Sequence, residues 1–220
     1  MTEIQEKITS LRQQLPDHVR LVCVSKFHSE ETILEAYEAG ERDFGESRAQ
    51  ELVRKAAALP KDIRWHFIGS LQTNKVKMVV PTAYLIHSVD SVRLLEAINN
   101  YATKNNLNSR VLLEVHIAEE TTKQGFKPDE VLEIFTSGVW KNYPNVQICG
   151  LMGMATFSAD TVKIQREFKT LHSLFLQIKS IFLNENFSEL SMGMTNDFHL
   201  AIEEGSTCVR IGSLIFGERC

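Results

Sequence analysis

The sequence predicts a single-domain α/β protein with a (β/α)₈ barrel, in which eight parallel strands alternate with helices. Two observations predict this fold. Short apolar stretches rich in β-branched residues recur along the 220 residues, and segments with helical periodicity lie between most of them. The strand candidates are residues 21–25, 43–45, 64–68, 84–87, 110–116, 146–151, 188–191 and 208–212. No stretch has the composition of a linker, so we expect one domain over residues 1–220.

The predicted helices follow the strands in order. After the first strand, Ile33 and Tyr37 lie one helical turn apart. After the fourth strand, Ser91 stands as an N-cap in front of a helical run over residues 92–98. The longest predicted helix spans about residues 160–184, and its apolar face holds Phe168, Leu171, Leu174, Phe175, Ile178 and Ile181.

An open, doubly wound sheet is the alternative fold for strands that alternate with helices. That fold usually carries a glycine-rich turn directly after its first strand. Here the run Val24-Ser25-Lys26-Phe27 stands at that place, with no glycine. The barrel is therefore favoured.

Composition excludes several classes of partner. The chain has 24 basic and 28 acidic residues and a formal net charge of −4, and no basic stripe dominates, so we expect no nucleic-acid partner. No window approaches the run of about 18 apolar residues that a membrane span needs, so we expect no membrane partner. The start of the chain, residues 1–7, lacks the pattern of a signal or transit peptide.

The four cysteines are Cys23, Cys149, Cys208 and Cys220, and their spacing is not that of a metal site. We therefore expect no metal. The first three lie inside apolar runs, as expected for buried thiols in a reducing compartment. We expect a cytoplasmic protein.

Polar residues close the predicted strands at the end where barrels place their active sites. The first strand runs into Ser25 and Lys26, and the last contains Arg210 and leads into Gly212 and Ser213. If these two strands are neighbours in a closed barrel, a lysine, a fixed cation and backbone amides face one pocket. Such a pocket suits a phosphorylated ligand that carries an aldehyde, and pyridoxal phosphate is the obvious candidate.

Several blocks, in one order along nearly the whole chain, resemble the pyridoxal phosphate homeostasis proteins, single-domain relatives of the barrel domain of alanine racemase. The blocks are Val24-Ser25-Lys26, Phe44-Gly45-Glu46, residues 66–75, His87-Ser88-Val89-Asp90, Gly150-Leu151-Met152, residues 190–197, Ala201-Ile202, Gly205-Ser206-Thr207 and residues 209–212. The resemblance implies a barrel of the alanine racemase N-terminal-domain type and pyridoxal phosphate as the cofactor.

The resemblance assigns roles to two cations. Lys26 is implied to form the covalent aldimine with the cofactor aldehyde, a bond that requires a neutral amine. Arg210 is implied to contact the pyridine nitrogen, where a permanent cation keeps that nitrogen unprotonated and the ring a poor electron sink. The alternatives are a surface lysine just past a strand, and an arginine that pairs with an acid such as Glu218.

The resemblance also implies a place for the phosphate. We expect it on the Ser191 hydroxyl and on the backbone amides of Gly212 and Ser213, with the amide of Met192 as a further donor. Glycine lets the backbone approach the ligand closely. The alternative is that these are ordinary turn residues of the barrel rim.

Other conspicuous residues receive weaker roles. His66 and His87 are expected to be hydrogen-bonded core groups and not catalysts. Asn74 could help to shape the pocket, and Lys123 could be a second lysine for the cofactor, although a solvated loop is expected there. Relatives often carry an asparagine and an aromatic residue at the positions of residues 47–48, where this chain has Ser-Arg. Any pocket role for these two residues is in doubt.

The resemblance indicates a binding protein with no catalytic residue. Alanine racemase uses a tyrosine from a second domain of its partner subunit as an acid/base, and this chain ends at Cys220 without such a domain. We therefore expect a monomer that carries pyridoxal phosphate as a reversible aldimine, takes part in its homeostasis and supplies it to apo-enzymes. The alternatives are a weakly active fold-type III enzyme, such as an amino-acid racemase, and a Schiff-base aldolase.

Overall fold

A computed structural model describes residues 1–119 and 124–217 of the chain. The strands are β1 Arg20–Val24, β2 Asp43–Glu46, β3 Arg64–Phe67, β4 Leu85–Val89, β5 Ser109–Val115, β6 Val146–Gly153, β7 Glu189–Met194 and β8 Cys208–Ile211. The α-helices are α1 Glu3–Gln14, α2 Glu30–Glu38, α3 Ala49–Ala58, α4 Val76–Val79, α5 Val92–Lys104, α6 Pro128–Thr136, α7 Thr161–Phe182, α8 Phe198–Glu203 and α9 Ser213–Phe216. Short 3₁₀ turns span Thr73–Lys75 and Val139–Asn142.

The strands form a closed parallel barrel in the order β1 to β8, which confirms the predicted fold class. Closure is made by β1 and β8, where Val22 pairs with Arg210 and Cys23 with Ile211. The two ends of the sequence therefore meet at one seam. This register carries the residues after β1 and after β8 to the same rim of the barrel.

The predicted strand positions agree with the observed strands to within three residues at either end. Two differences stand out, and the second matters for the site. Tyr84, predicted inside the fourth strand, lies just before β4. Strand β7 continues three residues beyond its predicted end, to Met194, and so places residue 195 at the rim.

Helix α7 begins with Asp160 as its N-cap, whose side chain accepts a hydrogen bond from the Lys163 amide. Five of the six residues predicted on its apolar face are buried, but Ile181 is 43 % exposed, which corrects that prediction. Phe182, the next residue, packs instead, with its ring 4.9 Å from Phe135 and 5.7 Å from Phe187 between centroids.

The main hydrophobic core lies between the strands and the surrounding helices. Inside the barrel, the apolar cluster is small and consists of Leu85, Leu112, Cys149 and Met152. Buried polar side chains occupy much of the remaining barrel: Asp43, His66, His87, Glu114, Glu189, Ser191 and Arg210. Because buried polar groups need partners, this interior is held together by hydrogen bonds as well as by packing.

Candidate functional site

A cavity of about 290 Å³ opens at the C-terminal ends of the strands, at the β1–β8 seam. It is lined by Val24, Lys26, His28, Ile68, Met154, Phe157, Met194, Thr195, Asn196, Asp197, Arg210, Gly212, Ser213 and Gly217. A larger groove of about 510 Å³ lies outside the barrel, beside α5 and α6. We place the functional site in the smaller cavity, because a lysine, an arginine and two hydroxyls converge there and because barrels work at this end.

Lys26 lines this cavity two residues past the end of β1 and is half-buried. The next residue, Phe27, has φ +70°, in the left-handed region that non-glycine residues seldom adopt. Its amide donates to Glu51 Oε1 at 2.8 Å, and the Arg48 guanidinium lies 4.6 Å from its ring centroid. The strained turn is therefore tied to α3, and that tie fixes the backbone that carries Lys26.

The side chain of a buried lysine, Lys55, is hydrogen-bonded to the same segment. Lys55 of α3 is fully buried, and its Nζ donates to the Ser25 carbonyl and to Glu46 Oε1, both at 2.8 Å. It also pairs with Glu51 Oε1 at 2.7 Å, and Ser25 Oγ donates to Glu46 Oε1 at 2.5 Å. Lys55 thus connects the residues before and after Lys26 to two carboxylates.

The two carboxyl groups of this cluster are shifted in opposite directions. Burial raises the pKa of Glu46, although hydrogen bonds from Lys55 and Ser25 oppose the shift. Burial also acts to raise the pKa of Glu51, but hydrogen bonds from Lys55 and the Phe27 amide outweigh it and lower that pKa. Glu46 Oε2 is buried without a hydrogen-bond partner in the described part of the chain.

Arg210 projects from β8 into the barrel and is 4 % exposed, while still lining the cavity. Its Nη1 donates to the Ser191 carbonyl at 2.8 Å and to Ser191 Oγ at 2.5 Å, and its Nη2 donates to the Gly153 carbonyl at 3.2 Å. Burial lowers the pKa of Arg210, but a guanidinium stays protonated even so. A fixed cation therefore sits at the floor of the cavity. Glu218, the alternative partner, lies outside the described residues.

Two hydroxyls face each other at the other side of the cavity. Thr195, just past β7, and Ser213, at the start of α9, have their side-chain oxygens 3.1 Å apart. Gly212 lies beside them, and a Cβ there would stand 3.1 Å from the Val24 carbonyl oxygen, so a side chain would crowd β1. Hydroxyls and the amides of a helix start suit an anion such as a phosphate.

The structure brings four of the six sequence-predicted binding residues to the site or its floor: Lys26, Arg210, Gly212 and Ser213. Ser191 and Met192 are fully buried and do not line the cavity. The Ser191 hydroxyl is held by Arg210 and lies 3.0 Å from His87 Nδ1. This geometry argues against a direct phosphate contact at Ser191.

Sequence reasoning missed Thr195, whose hydroxyl lines the cavity beside that of Ser213. Its signal was present, because Thr195 stands inside the block of residues 190–197, but the predicted strand ended too early to place it at the rim. Asp197 was missed as well; its Oδ1 accepts the Met194 amide at 2.6 Å and so shapes the turn that carries Thr195.

None of the remaining candidates that the structure describes lines the cavity. His66 and His87 are fully buried and hydrogen-bonded, as expected of core groups. Asn74 is exposed in the 3₁₀ turn before α4 and does not line the cavity. Arg48 is exposed at the N-terminus of α3. Lys123 lies outside the described residues.

No group of three or more His, Cys, Asp or Glu side chains in residues 1–119 and 124–217 is arranged to hold a metal ion. In the same residues, no helix is both long enough and apolar enough to cross a membrane.

Glu114 of β5 is a buried acid whose pKa is shifted strongly by its surroundings. Burial raises its pKa to about 7, the charge of Asp90 adds to the shift, and Arg210 opposes it. The folded state therefore binds a proton more tightly than the unfolded state, whose carboxyl titrates near 4.5. The ionised carboxyl therefore destabilises the fold. This destabilisation is absent below about pH 4.5 and fully developed above about pH 7.

Glu114→Gln should therefore stabilise the fold at pH 8 more than at pH 5, by about 2–3 kcal/mol as an upper bound. Urea unfolding of both proteins at the two pH values measures this difference. Exposed Glu133→Gln on α6 serves as the control and should show no such difference. Equal effects of Glu114→Gln at pH 5 and pH 8 would contradict the assigned shift.

The chain is similar over its whole length to known proteins. The family model described as alanine racemase, N-terminal domain, matches residues 1–220. The chain is 41 % identical over 201 residues to the pyridoxal phosphate homeostasis protein of Aquifex aeolicus, covering 91 % of this chain and 87 % of that protein. It is 37 % identical over 228 residues to the Homo sapiens protein of the same name, covering 98 % and 82 %.

Solved structures agree with these relatives. PipY of Synechococcus elongatus, solved without pyridoxal phosphate, superposes with a TM-score of 0.92 and 36 % identity, covering 98 % of this chain and 100 % of PipY. The structure of PipY with pyridoxal phosphate bound gives a TM-score of 0.88 and 35 % identity with the same coverage.

Proposed function

Because the chain belongs to the alanine racemase N-terminal domain family and, within it, to the pyridoxal phosphate homeostasis proteins, we propose that it binds pyridoxal phosphate and takes part in the homeostasis of that cofactor. The proposed role is that of a carrier, which holds the cofactor reversibly on Lys26 and supplies it to apo-enzymes. The relative PipY, solved with pyridoxal phosphate bound, supports the choice of cofactor.

One observation carries this proposal: Lys26, Arg210, Thr195 and Ser213 line the same cavity. An amine, a fixed cation and a pair of hydroxyls match the aldehyde, the pyridine nitrogen and the phosphate of this cofactor. The cavity volume of about 290 Å³ is at the lower limit for small-ligand sites, as expected for a ligand of one ring and one phosphate. The residues present therefore fit the group.

Each residue has a defined task in this site. When bound, pyridoxal phosphate supplies an aldehyde that reacts reversibly with amines. Lys26 Nζ is the amine that holds it, and the clamp made by Lys55 and Glu51 fixes the backbone that presents Lys26. Arg210 places a permanent positive charge in the cavity floor, which disfavours a proton on a nearby pyridine nitrogen. Thr195, Gly212 and Ser213 hold the phosphate.

The phosphate assignment gives a direct test with Thr195→Val, which removes one hydroxyl at constant volume. We expect the affinity for pyridoxal phosphate to fall about tenfold, because a charge-assisted hydrogen bond is lost. The affinity for pyridoxal, which has no phosphate, should not change. Equilibrium titrations with both ligands measure this, with exposed Thr170→Val on α7 as the matched control. An equal loss for both ligands, or no loss, would overturn the assignment.

A carrier without turnover is the function that this site supports best. The cavity lining contains no tyrosine among residues 1–119 and 124–217 that could act as the second acid/base of a racemase. The names of the relatives describe homeostasis and not a reaction. A weak amino-acid racemase is the second candidate, favoured by the match to the alanine racemase domain.

Two measurements on the purified protein separate these functions. Titration with pyridoxal phosphate should produce a visible absorbance band of protein-bound cofactor. Chiral analysis of alanine and other amino acids incubated with the loaded protein should show no racemisation above free cofactor. Racemisation that disappears in Lys26→Ala would favour the enzyme, and absence of the band would remove the carrier.

We further propose a monomer that works in the cytoplasm. Cys23, Cys149 and Cys208 are free and buried, which is the state of thiols in a reducing compartment. Burial raises the pKa of Cys23 and of Cys208, and so keeps both thiols unreactive. The partners are pyridoxal phosphate and the apo-enzymes that receive it.

A further inference from the structure

A chain of buried hydrogen bonds crosses the barrel beneath the cavity. His66 Nε2 lies 2.9 Å from Asp43 Oδ1, and His66 Nδ1 lies 2.9 Å from His87 Nε2. His87 Nδ1 lies 3.0 Å from Ser191 Oγ, which accepts from Arg210 Nη1 at 2.5 Å. The side chains come from β2, β3, β4, β7 and β8, and each of the five residues is less than 5 % exposed.

The two ends of this chain have fixed polarity. A guanidinium only donates, so Arg210 uses a lone pair of Ser191 Oγ. At the other end, burial opposes the ionisation of Asp43, but hydrogen bonds from His66 and Arg64 outweigh it and hold the pKa of Asp43 well below its usual range. An ionised carboxylate only accepts, so the hydrogen of its bond to His66 sits on Nε2.

These ends leave one arrangement in which both rings are neutral and two in which one ring is charged. With both rings neutral, Ser191 donates to His87 Nδ1, His87 Nε2 donates to His66 Nδ1, and His66 Nε2 donates to Asp43. In the other two, either His66 or His87 carries hydrogens on both nitrogens and a buried positive charge, and His87 Nδ1 donates to Ser191. The Ser191 hydroxyl hydrogen then loses its acceptor in His87.

The surroundings favour the neutral arrangement. Burial lowers the pKa of His66; Asp43 and Glu189 oppose the shift, and Arg20 adds to it. Burial also lowers the pKa of His87, to which the neighbouring His66, Arg210 and Arg20 add. In addition, the carboxylate of Asp43 is already paired with Arg64, at 2.8 and 2.5 Å. A buried positive charge on His66 would have to share that carboxylate with Arg64.

We propose that Asp43, His66 and His87 are positioning residues for Arg210, acting through a one-way hydrogen-bond chain of two neutral imidazoles that fixes the Ser191 hydroxyl as an acceptor for the guanidinium. The chain is not a path for protons, because Arg210 at its end does not release one. Its effect is to commit the Ser191 hydroxyl hydrogen to His87. The Ser191 oxygen therefore holds Arg210 in the cavity floor.

The chain itself is tested without any ligand, by two-bond ¹H–¹⁵N correlation spectra of the wild-type protein at pH 6.5, where an ordinary imidazole is half protonated. We expect His66 and His87 both to be neutral, with hydrogen on Nε2 only. Variants His66→Gln and His87→Gln assign the signals, and exposed His18→Gln provides a reference spectrum. A doubly protonated His66, or hydrogen on Nδ1 of His87, would overturn the proposal.

The positioning role is tested with His87→Leu, which removes the acceptor of the Ser191 hydroxyl. We expect the affinity for pyridoxal phosphate to fall about tenfold, the size expected when one buried donor loses its partner. His18→Leu should bind like the wild type. Unchanged binding by a folded His87→Leu would overturn the positioning role. If His87→Leu does not fold, the wild-type tautomers still decide.

This second test rests on the proposed function, because it needs pyridoxal phosphate to bind beside Arg210. The two failures are distinguishable. Neutral Nε2 tautomers in a wild-type protein that binds no pyridoxal phosphate would support the hydrogen-bond chain and rule out the proposed function. Normal binding together with hydrogen on Nδ1 of His87 would support the function and rule out the proposed hydrogen-bond chain.

Discussion

Lys26→Ala is expected to abolish the visible absorbance band of the protein with pyridoxal phosphate and to weaken binding at least a hundredfold. Among the described residues, Lys26 is the lysine that lines the cavity. Its covalent bond to the cofactor cannot be replaced by non-covalent contacts. The measurement is an absorbance titration followed by dialysis. The wild type should stay yellow and the variant should become colourless.

The matched control is Lys77→Ala, an exposed lysine of α4 that does not line the cavity. It should behave like the wild type. A band that persists in Lys26→Ala would mean that another lysine holds the cofactor. Lys123, the second lysine suggested by the sequence, would then be the first to replace.

Lys55→Met is expected to lower the free energy of unfolding by about 3–5 kcal/mol, the usual effect of removing one partner of a buried ion pair. Lys55 and the Glu46 side chain are both fully buried, and Lys55 also binds Glu51 and the Ser25 carbonyl. The substitution removes the charged donor from two carboxyl groups and from the Ser25 carbonyl, and it leaves the buried Glu46 without its cation. Since domains are stable by only about 5–15 kcal/mol, urea unfolding should show a large drop in the midpoint.

A second substitution separates charge from packing in this cluster. Adding Glu46→Gln to Lys55→Met should recover part of the lost stability, because the buried group becomes neutral. Exposed Lys77→Met should change the free energy of unfolding by no more than about 0.5 kcal/mol. A loss below 1 kcal/mol for Lys55→Met would show that the cluster does not stabilise the turn that carries Lys26.

Much of the barrel could be predicted because its signals are local. Each strand is a short apolar run of its own, and a glycine-free turn after β1 was enough to disfavour the doubly wound sheet. The meeting of Lys26 and Arg210 followed from one topological rule, that the first and last strands of a closed barrel pair. In the structure β1 does pair with β8, and Val22 lies opposite Arg210.

The polar interior could not be predicted in the same way. Lys55 lies on a helix where a lysine is normally exposed, and only the packing of α3 against β2 and β3 shows that it is buried. The chain from Asp43 to Arg210 joins five strands, and its contacts depend on the register and tilt of the barrel. The resemblance implies Ser191 as a phosphate ligand, but a sequence motif does not show that its hydroxyl points to Arg210 and His87.

Transfer of the cofactor to an apo-enzyme is the test of reversible carriage. The loaded protein is freed of unbound cofactor, mixed with a pyridoxal-phosphate-dependent apo-enzyme, and the recovered activity is followed. A second sample is first treated with borohydride, which makes the bond to Lys26 permanent. If the protein carries the cofactor reversibly, the untreated protein should reactivate the apo-enzyme and the treated protein should not. No reactivation by the untreated protein, where free pyridoxal phosphate does reactivate the apo-enzyme, would contradict it.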